Sequence, residues 1–451
     1  MFSNKFILKY LIQYFNIFKK KDLSRVKRNL TAQSAIIFSS SFIQILIVPI
    51  MILGWGVKNY AIWIFFMSLP SLLTFLNINF ITATRQELIL NINKRNRYAQ
   101  KIFSNSFFFS ILNIIFFLFL YYVNLIFYDS FKIFDDYKIN ELTILIFCTA
   151  IGYSINLINL NMEIGISCKG RIDIGVYIKN ISNFFMLIVV AMNGFISNDI
   201  NISGVIYLIF QVIQSIFFYK YYKKISSELN FKKKYIDLKL IKYIFQISRS
   251  YYLNTFSHIL RNSGLIYIIS AFFSPAIVVL ISTIKTLFYF LPIRAVALVG
   301  DLAQYEYANK YKRSKYKDVF NISNIHIFLV SIFIFIFLIL SLTIGPSIYN
   351  IWIINNINYD VETIFFIALD AVFIIYYGVF ISVSKSINNF LKVSTIEFII
   401  VIIAILIAFY FGKFNYAYQN IIILNTFTSC LLLIFSISVY LKSKQKIMFK
   451  I

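Results

Sequence analysis

The chain is poor in cysteine, histidine, proline and acidic side chains, and each shortage narrows what it does. Three cysteines occur in 451 residues, Cys148, Cys168 and Cys430. They are far apart, with no CxxC pair and no histidine beside them, so they read as core thiols and not as a disulfide framework or a metal site. The two histidines, His258 and His326, are equally scattered. No GxxxxGK[ST] phosphate loop, HExxH pair or GxSxG elbow is present, which removes nucleotide hydrolysis and the common hydrolase chemistries. The chain therefore reads as a non-enzyme without a cofactor or metal, with H+ or Na+ as the candidate coupling ion. Acids number 18 against 43 bases, a formal charge of +25.

What is abundant is hydrocarbon. Apolar residues make up 60% of the chain and mean hydropathy is +0.77, against about 45–50% apolar residues for a soluble globular protein. Runs of about 20 apolar residues, the length needed to cross a bilayer core, recur from residue 31 onward. They predict twelve membrane helices at 31–53, 60–82, 102–127, 141–164, 178–197, 203–222, 243–270, 276–299, 323–345, 363–383, 394–412 and 419–441. The expected fold is all-α and polytopic, two six-helix bundles around a central cavity. Residues 29–222 form the first bundle, 223–242 a basic linker and 243–441 the second. Residues 1–28 read as an amphipathic basic segment on the inner surface, and 442–451 as a basic tail.

Charge placement sets the expected orientation. With the amino terminus inside, 35 of the 43 Lys and Arg fall on that side and four (Lys58, Lys132, Lys138 and Lys413) on the other. The positive-inside rule then puts both termini in the cytoplasm. The net charge thus reports topology and attraction to anionic membrane lipids, not nucleic-acid binding. Heavy use of Ile, Asn, Lys, Phe and Tyr suggests an AT-rich bacterial genome, hence a bacterial inner membrane.

Four bases remain inside apolar spans: Arg249, Arg261, Lys285 and Arg294. A cation near the bilayer centre costs about 2.5–3.5 kcal/mol on insertion scales, so such residues imply a polar cavity, a counter-ion or an anionic ligand. On the seventh span Tyr251, Asn254, His258 and Arg261 share one face at 100° per residue. That stripe either binds a ligand or packs on another helix with Arg261 paired to a buried acid. Lys285 lies near the middle of the eighth span, with Tyr289 and Pro292 on its face. Arg249 and Arg294 sit closer to the inner interface, Arg249 placed to snorkel and Arg294 to meet either Asp301 or an entering ligand. Asp370, in the tenth span with Tyr377 one heptad on, reads as an ion-coupling group or, preferably, as the counter-ion of Lys285 or Arg261. Glu163 in the fourth span is a second candidate of that kind. Gln33 and Gln44 add an uncharged polar face to the first span, and the second span carries Ser68 and Asn77.

One resemblance is visible. The stretch Leu53–Glu87 resembles the start of the polysaccharide-unit flippases of the multidrug, oligosaccharidyl-lipid and polysaccharide exporter superfamily, with Leu53–Gly54, Tyr60 and Trp63 in place. Asn77 and Asn79 stand where aspartate and glycine are more usual. Residues 272–290, followed by Tyr305–Glu306–Tyr307, are similar to that family's eighth helix and acidic loop, with Lys285 at an expected basic position. The resemblance implies translocation of an undecaprenyl-pyrophosphate-linked oligosaccharide from the inner to the outer leaflet, for O-antigen or capsular polysaccharide. It implies alternating access by rocking of residues 1–222 against 243–451, with Arg261 and Lys285 holding the pyrophosphate. A glycan polymerase and chain-length machinery would be partners. The alternatives are a cation-coupled drug or small-molecule antiporter on the same fold, and a membrane glycan polymerase or ligase. Short outer loops speak against the last.

Overall fold

The computed structural model describes residues 20–73, 80–85, 87–88, 96–126, 131–135, 137–312, 316–353, 360–386 and 390–448. Among them every regular element is a helix. The first, Lys20–Leu73, is two helices joined at Gly56 (φ 75°, ψ 171°), a conformation that a residue without Cβ adopts cheaply. We label its limbs α1 (20–55) and α2 (57–73). The others are α3 (Asn96–Ile126), α4 (Thr143–Cys168), α5 (Ile172–Ile196) and α6 (Ile200–Ile225). Next, α7 begins at Leu238–Ile259, passes through a π-helical turn at Leu260–Gly264 and continues as Leu265–Phe272. Helix α8 repeats this device, with Pro275–Lys285, a π turn at Thr286–Phe290, then Leu291–Lys312. Finally come α9 (Tyr316–Thr343), a short helix Gly345–Ile353, α10 (Val361–Ser386), α11 (Leu391–Lys413) and α12 (Tyr418–Met448).

The protein is a multi-pass membrane protein. Ten spans among the described residues are long and apolar enough to cross a bilayer. Two facts reconcile ten with twelve: α1 and α2 count as one span, Ile43–Pro70, across the Gly56 turn, and α7 is left out. Arg249, His258 and Arg261 interrupt the apolar run of α7, as they did in the sequence.

Local chemistry starts the helices where they start. The Asp237 carboxylate accepts from the amides of Lys239 (2.9 Å) and Leu240 (3.4 Å) and so caps α7; Asp199 does the same for α6 through Asn201 (2.8 Å). Pro275 opens α8, where its missing N–H is unused in any case.

Helix pairing repeats with an offset of six. In the amino-terminal half α1 packs on α5, α4 on α6, α5 on α6 and α3 on α4; in the carboxy-terminal half α7 packs on α11, α10 on α12, α11 on α12 and α9 on α10. Gly204 permits a close backbone approach of α6 to α4, because a Cβ there would lie 2.8 Å from Cα of Leu145. The segment between the halves does not hang free. Asn105 of α3 donates to the carbonyl of Tyr235 (2.9 Å) and accepts from the amide of Asp237 (2.7 Å), and Gln100 donates to the carbonyl of Glu228 (2.7 Å).

The two ends of the molecule differ. On the face that carries the Gly56 turn, one apolar cluster contains residues of both halves, including Trp55, Phe65, Phe131 and Phe134 with Leu265, Ile268, Tyr349 and Ile353. Phe65 stacks on Tyr267 with ring centroids 5.5 Å apart, and the Trp352 indole donates to the carbonyl of Ile45 at 2.5 Å. Towards the linker face, the clusters around Tyr307 and around Tyr377 hold residues of the carboxy-terminal half only. The exception is the foot of α7, where Leu240, Ile244 and Tyr252 pack with Phe80, Phe103 and Ile164 of the amino-terminal half. The halves are thus closed on the Gly56 face, and α7 reaches into both.

Candidate functional site

Arg261, Lys285, Asp370, Lys385 and Glu397 gather inside the carboxy-terminal half, on α7, α8, α10 and α11. Arg261 sits in the π turn of α7. Its Nη2 donates to the Tyr289 hydroxyl at 2.6 Å and lies 3.3 Å from Oδ1 of Asp370. Asp370 is held from a second side by α12, whose Asn425 amide donates at 2.6 Å and whose Ser429 hydroxyl also donates. Lys285, at the entrance to the π turn of α8, donates to Oδ1 of Asn262 at 3.1 Å and stands 4.9 Å from the Tyr289 ring centroid. Arg261, Lys285 and Asp370 are each 2% exposed. A π turn inserts an extra residue and shifts the face that the following side chains occupy. These two turns bring Arg261 and Lys285 to one tyrosine.

A second polar centre lies nearer the linker face. Glu397 of α11 accepts at Oε2 from the Tyr377 hydroxyl (2.6 Å) and from the Asn254 amide (2.7 Å). The carbonyl oxygen of the same Asn254 accepts from Nζ of Lys385 at 3.0 Å. One amide therefore connects a buried carboxylate to an ammonium, and through Asn254 it connects both to α7.

The stripe Tyr251–Asn254–His258–Arg261 thus turns towards α10 and α11 within its own half. Tyr251 packs edge-on against Phe390 at 5.0 Å, Asn254 meets Glu397, and Arg261 meets Asp370. His258 is half-buried on the same helix, and the amide of Asn262 donates to its carbonyl at 3.1 Å. Arg249 is exposed. Arg294 reaches the other half, donating to Gln44 of α1 at 2.8 Å. The side chains of Asp301, its expected partner, and of Gln33 lie outside the described residues, as do residues 1–19 of the amphipathic segment. Glu163 stands apart in the amino-terminal half, 3.5 Å from Arg85 and in contact with Lys179.

Several contributors went unmarked in the sequence. Lys385 had counted as a loop base, yet it belongs to α10. Asn425 and Ser429 form an i, i+4 polar pair on an apolar helix, and that spacing was the available signal. Asn262 had no signal, because the π turn gives it its orientation. The amino-terminal half shows the neutral counterpart of this chemistry. There Asn161 of α4 accepts from Ser106 (2.9 Å) and donates to Ser110 (2.8 Å) of α3.

No protein-family model and no curated protein matches the chain. Solved structures do. The chain is similar over 93% of its length to the inward-facing conformation of a multidrug resistance MATE family transporter of the MOP superfamily, with TM-score 0.69, 11% identity and 99% of that chain covered. The outward-facing conformation of such a transporter gives TM-score 0.62 at 11% identity, over 93% of this chain and 96% of that one. A MOP superfamily transporter from Pyrococcus furiosus Vc1, described as having a binding pocket of reverse polarity that suggests a different function, gives 0.63 at 11% identity, over 94% and 96%. At such identities the likeness establishes the fold. It is a MATE-like transporter fold.

Proposed function

We propose that the chain is a cation-coupled exporter of amphiphilic small molecules that works by alternating access. The linker face, which carries most of the Lys and Arg, is the cytoplasmic face. The described conformation then opens inward, and transport requires the apolar contact at Phe65 and Tyr267 to part while the linker face closes. The observation that carries this reading is the internal pairing of Arg261. Its guanidinium is buried and bonded to Asp370 and Tyr289, and Lys285 is buried against Asn262 and two aromatic rings. Arg261 thus already has a carboxylate partner, which weakens its case as a pyrophosphate ligand, while Lys285 bonds a neutral amide. Buried carboxylates linked to mobile helices are instead the chemistry of ion coupling. The structural neighbours described as multidrug transporters point the same way.

A lipid-linked oligosaccharide flippase is the second reading, and one observation favours it. The bases Arg249, Arg294, Lys179 and Lys385 are exposed or half-buried, whereas Asp370, Glu397, Asp173 and Glu163 are all buried. Such walls suit an anionic substrate better than a cationic one.

The test is reconstitution into liposomes with an imposed H+ or Na+ gradient and a panel of amphiphilic dyes. Gradient-dependent dye movement supports the exporter. Absence of movement for every dye, together with inner-leaflet accumulation of lipid-linked oligosaccharide in a deletion strain, would replace it with the flippase.

A further inference from the structure

The geometry points to Glu397 as a proton-binding site whose occupancy is passed to α7 through Asn254. This rests on the coupled-export reading above and names the group that carries the coupling ion.

Among the described residues two carboxylates are buried in this half, and their surroundings differ. Asp370 is met by Arg261, Asn425 and Ser429, so both of its oxygens are engaged and its charge is balanced by a guanidinium that does not deprotonate. Glu397 has no arginine bonded to it. Tyr377 and Asn254 both donate to its Oε2, and a countercharge, Lys385, acts across the Asn254 side chain. The charged and titratable groups around it are Tyr377 and Lys385 from α10, Arg261 and His258 from α7, while α12 brings the apolar Leu432, Phe435 and Val439 to the neighbouring core.

This set of partners selects a proton over a metal ion. A hard cation needs several oxygen lone pairs converging on one point. Glu397 is instead met by an N–H, an O–H and, one amide away, an ammonium. Among the described residues no group of three His, Cys, Asp or Glu side chains is placed to hold a metal.

Loading has a mechanical consequence. A carboxylate accepts hydrogen bonds about twice as strongly as a neutral carboxyl group. Proton uptake by Glu397 therefore weakens the hold on Asn254 and leaves the positive charge of Lys385 without its counter-ion. Asn254 is on a helix that packs against both halves, as α8 also does. Its neighbour Tyr252 belongs to the amino-terminal cluster, Leu265 and Ile268 belong to the closed contact on the Gly56 face, and the π turn at Leu260–Gly264 lies between them. A change of grip at Asn254 is thus applied beside a ready-made bend.

The test uses the full chain in lipid nanodiscs, with no substrate. Infrared difference spectra between pH 8 and pH 5 should show a protonated-carboxyl band that is lost in Glu397→Gln and kept in Asp370→Asn. Protection of the α7 amides from 254 to 264, taken relative to the intrinsic exchange rate at each pH, should fall at low pH in the parent and become independent of pH in Glu397→Gln. Asn254→Ala should keep the band and lose the exchange response. If Glu397→Gln does not fold, Glu397→Asp, which shortens the side chain, should shift the midpoint of the band. A band unchanged in the Glu397 variant that folds overturns the proposal, as does an exchange response that survives in Asn254→Ala. Liposome transport separates the two claims. A Glu397 band with no gradient-driven transport keeps the proton site and sinks the exporter, whereas gradient-driven transport that is normal in Glu397→Gln keeps the exporter and sinks this site.

Discussion

Arg261 and Asp370, 109 residues apart in the chain, place a guanidinium nitrogen 3.3 Å from a carboxylate oxygen in a region where both side chains are 3% exposed. The pair joins α7 to α10, and Asn425 and Ser429 join α12 to the same carboxylate. Breaking a buried pair from one side strands the other charge, at a cost of about 3–5 kcal/mol, whereas removing both together is often close to neutral. Asp370→Asn and Arg261→Met should each lower the thermal midpoint of the purified protein strongly, and the double variant should recover most of the loss. Additive losses in the double variant would mean that the pair contributes little.

Tyr289 serves both bases at once, its hydroxyl accepting from Arg261 and its ring lying under Lys285. Tyr289→Phe keeps the ring and removes the acceptor. Because the donor is charged and buried, the expected loss is about 1.5–3 kcal/mol. Tyr289→Leu, which also removes the ring, should cost more by the cation–π contribution, about 0.5–2 kcal/mol. Equal losses in the two variants would show that the ring does not stabilise Lys285.

The sequence displayed the spans plainly because hydrocarbon thickness imposes a length on every crossing helix. It also placed Arg261, Asp370 and Tyr377 on the correct helices. Partner choice was harder to read for a physical reason. The angular argument for the α7 stripe assumed regular helical steps, and the π turns of α7 and α8 break them just where Arg261 and Lys285 occur. The stripe was open to two readings, a ligand-binding face or a helix contact with Arg261 paired to a buried acid, and the described arrangement has Arg261 beside Asp370 within one half. Lys385 was hidden by its position at the end of α10, where a base is usually an interfacial anchor. Only the approach of Asn254 from another helix reveals it.

Close packing in the amino-terminal half makes Gly204 intolerant. A Cβ there would come within 2.8 Å of the backbone of Leu145 and 3.1 Å of its side chain. The backbone atom has no rotamer to adopt, so α4 and α6 must separate. Overpacking of this kind costs about 1–3 kcal/mol. Gly204→Ala should lower the midpoint of thermal unfolding in detergent, and Gly300→Ala, where nothing lies within 4 Å of the added carbon, should not. Equal midpoints for the two variants would sink the argument.

Outside the membrane, Glu228 pairs with Lys169 at the linker face. Burial pushes its carboxyl up, but the Lys169 hydrogen bond, the Glu228 backbone amide and the Lys169 charge outweigh burial and hold it below the usual carboxylate range. A lowered folded-state value means that the contribution is present above the unfolded value and is lost as pH falls through the folded one. The pair is about one-third exposed, so its worth is that of a surface pair, about 0–1 kcal/mol. Glu228→Gln should therefore narrow the stability difference between pH 7 and pH 3 slightly. A variant whose pH profile widened would contradict the assigned sign.

The proposed alternating access makes its own demand on Phe65 and Tyr267. Their rings stack across the two halves at 5.5 Å, with Phe131 edge-on to Tyr267 at 4.8 Å. Since the halves share one apolar cluster on this face, export requires that stack to separate in every cycle. Phe65→Cys with Tyr267→Cys, in a background where Cys148, Cys168 and Cys430 are serine, should be bridged by a short cleavable bis-maleimide. The bridge should hold the described form and abolish transport, and cleavage should restore it, while either cysteine alone treated with the same reagent should keep substantial activity. A bridged protein that transports at the rate of the unbridged one would show that this contact is not the gate.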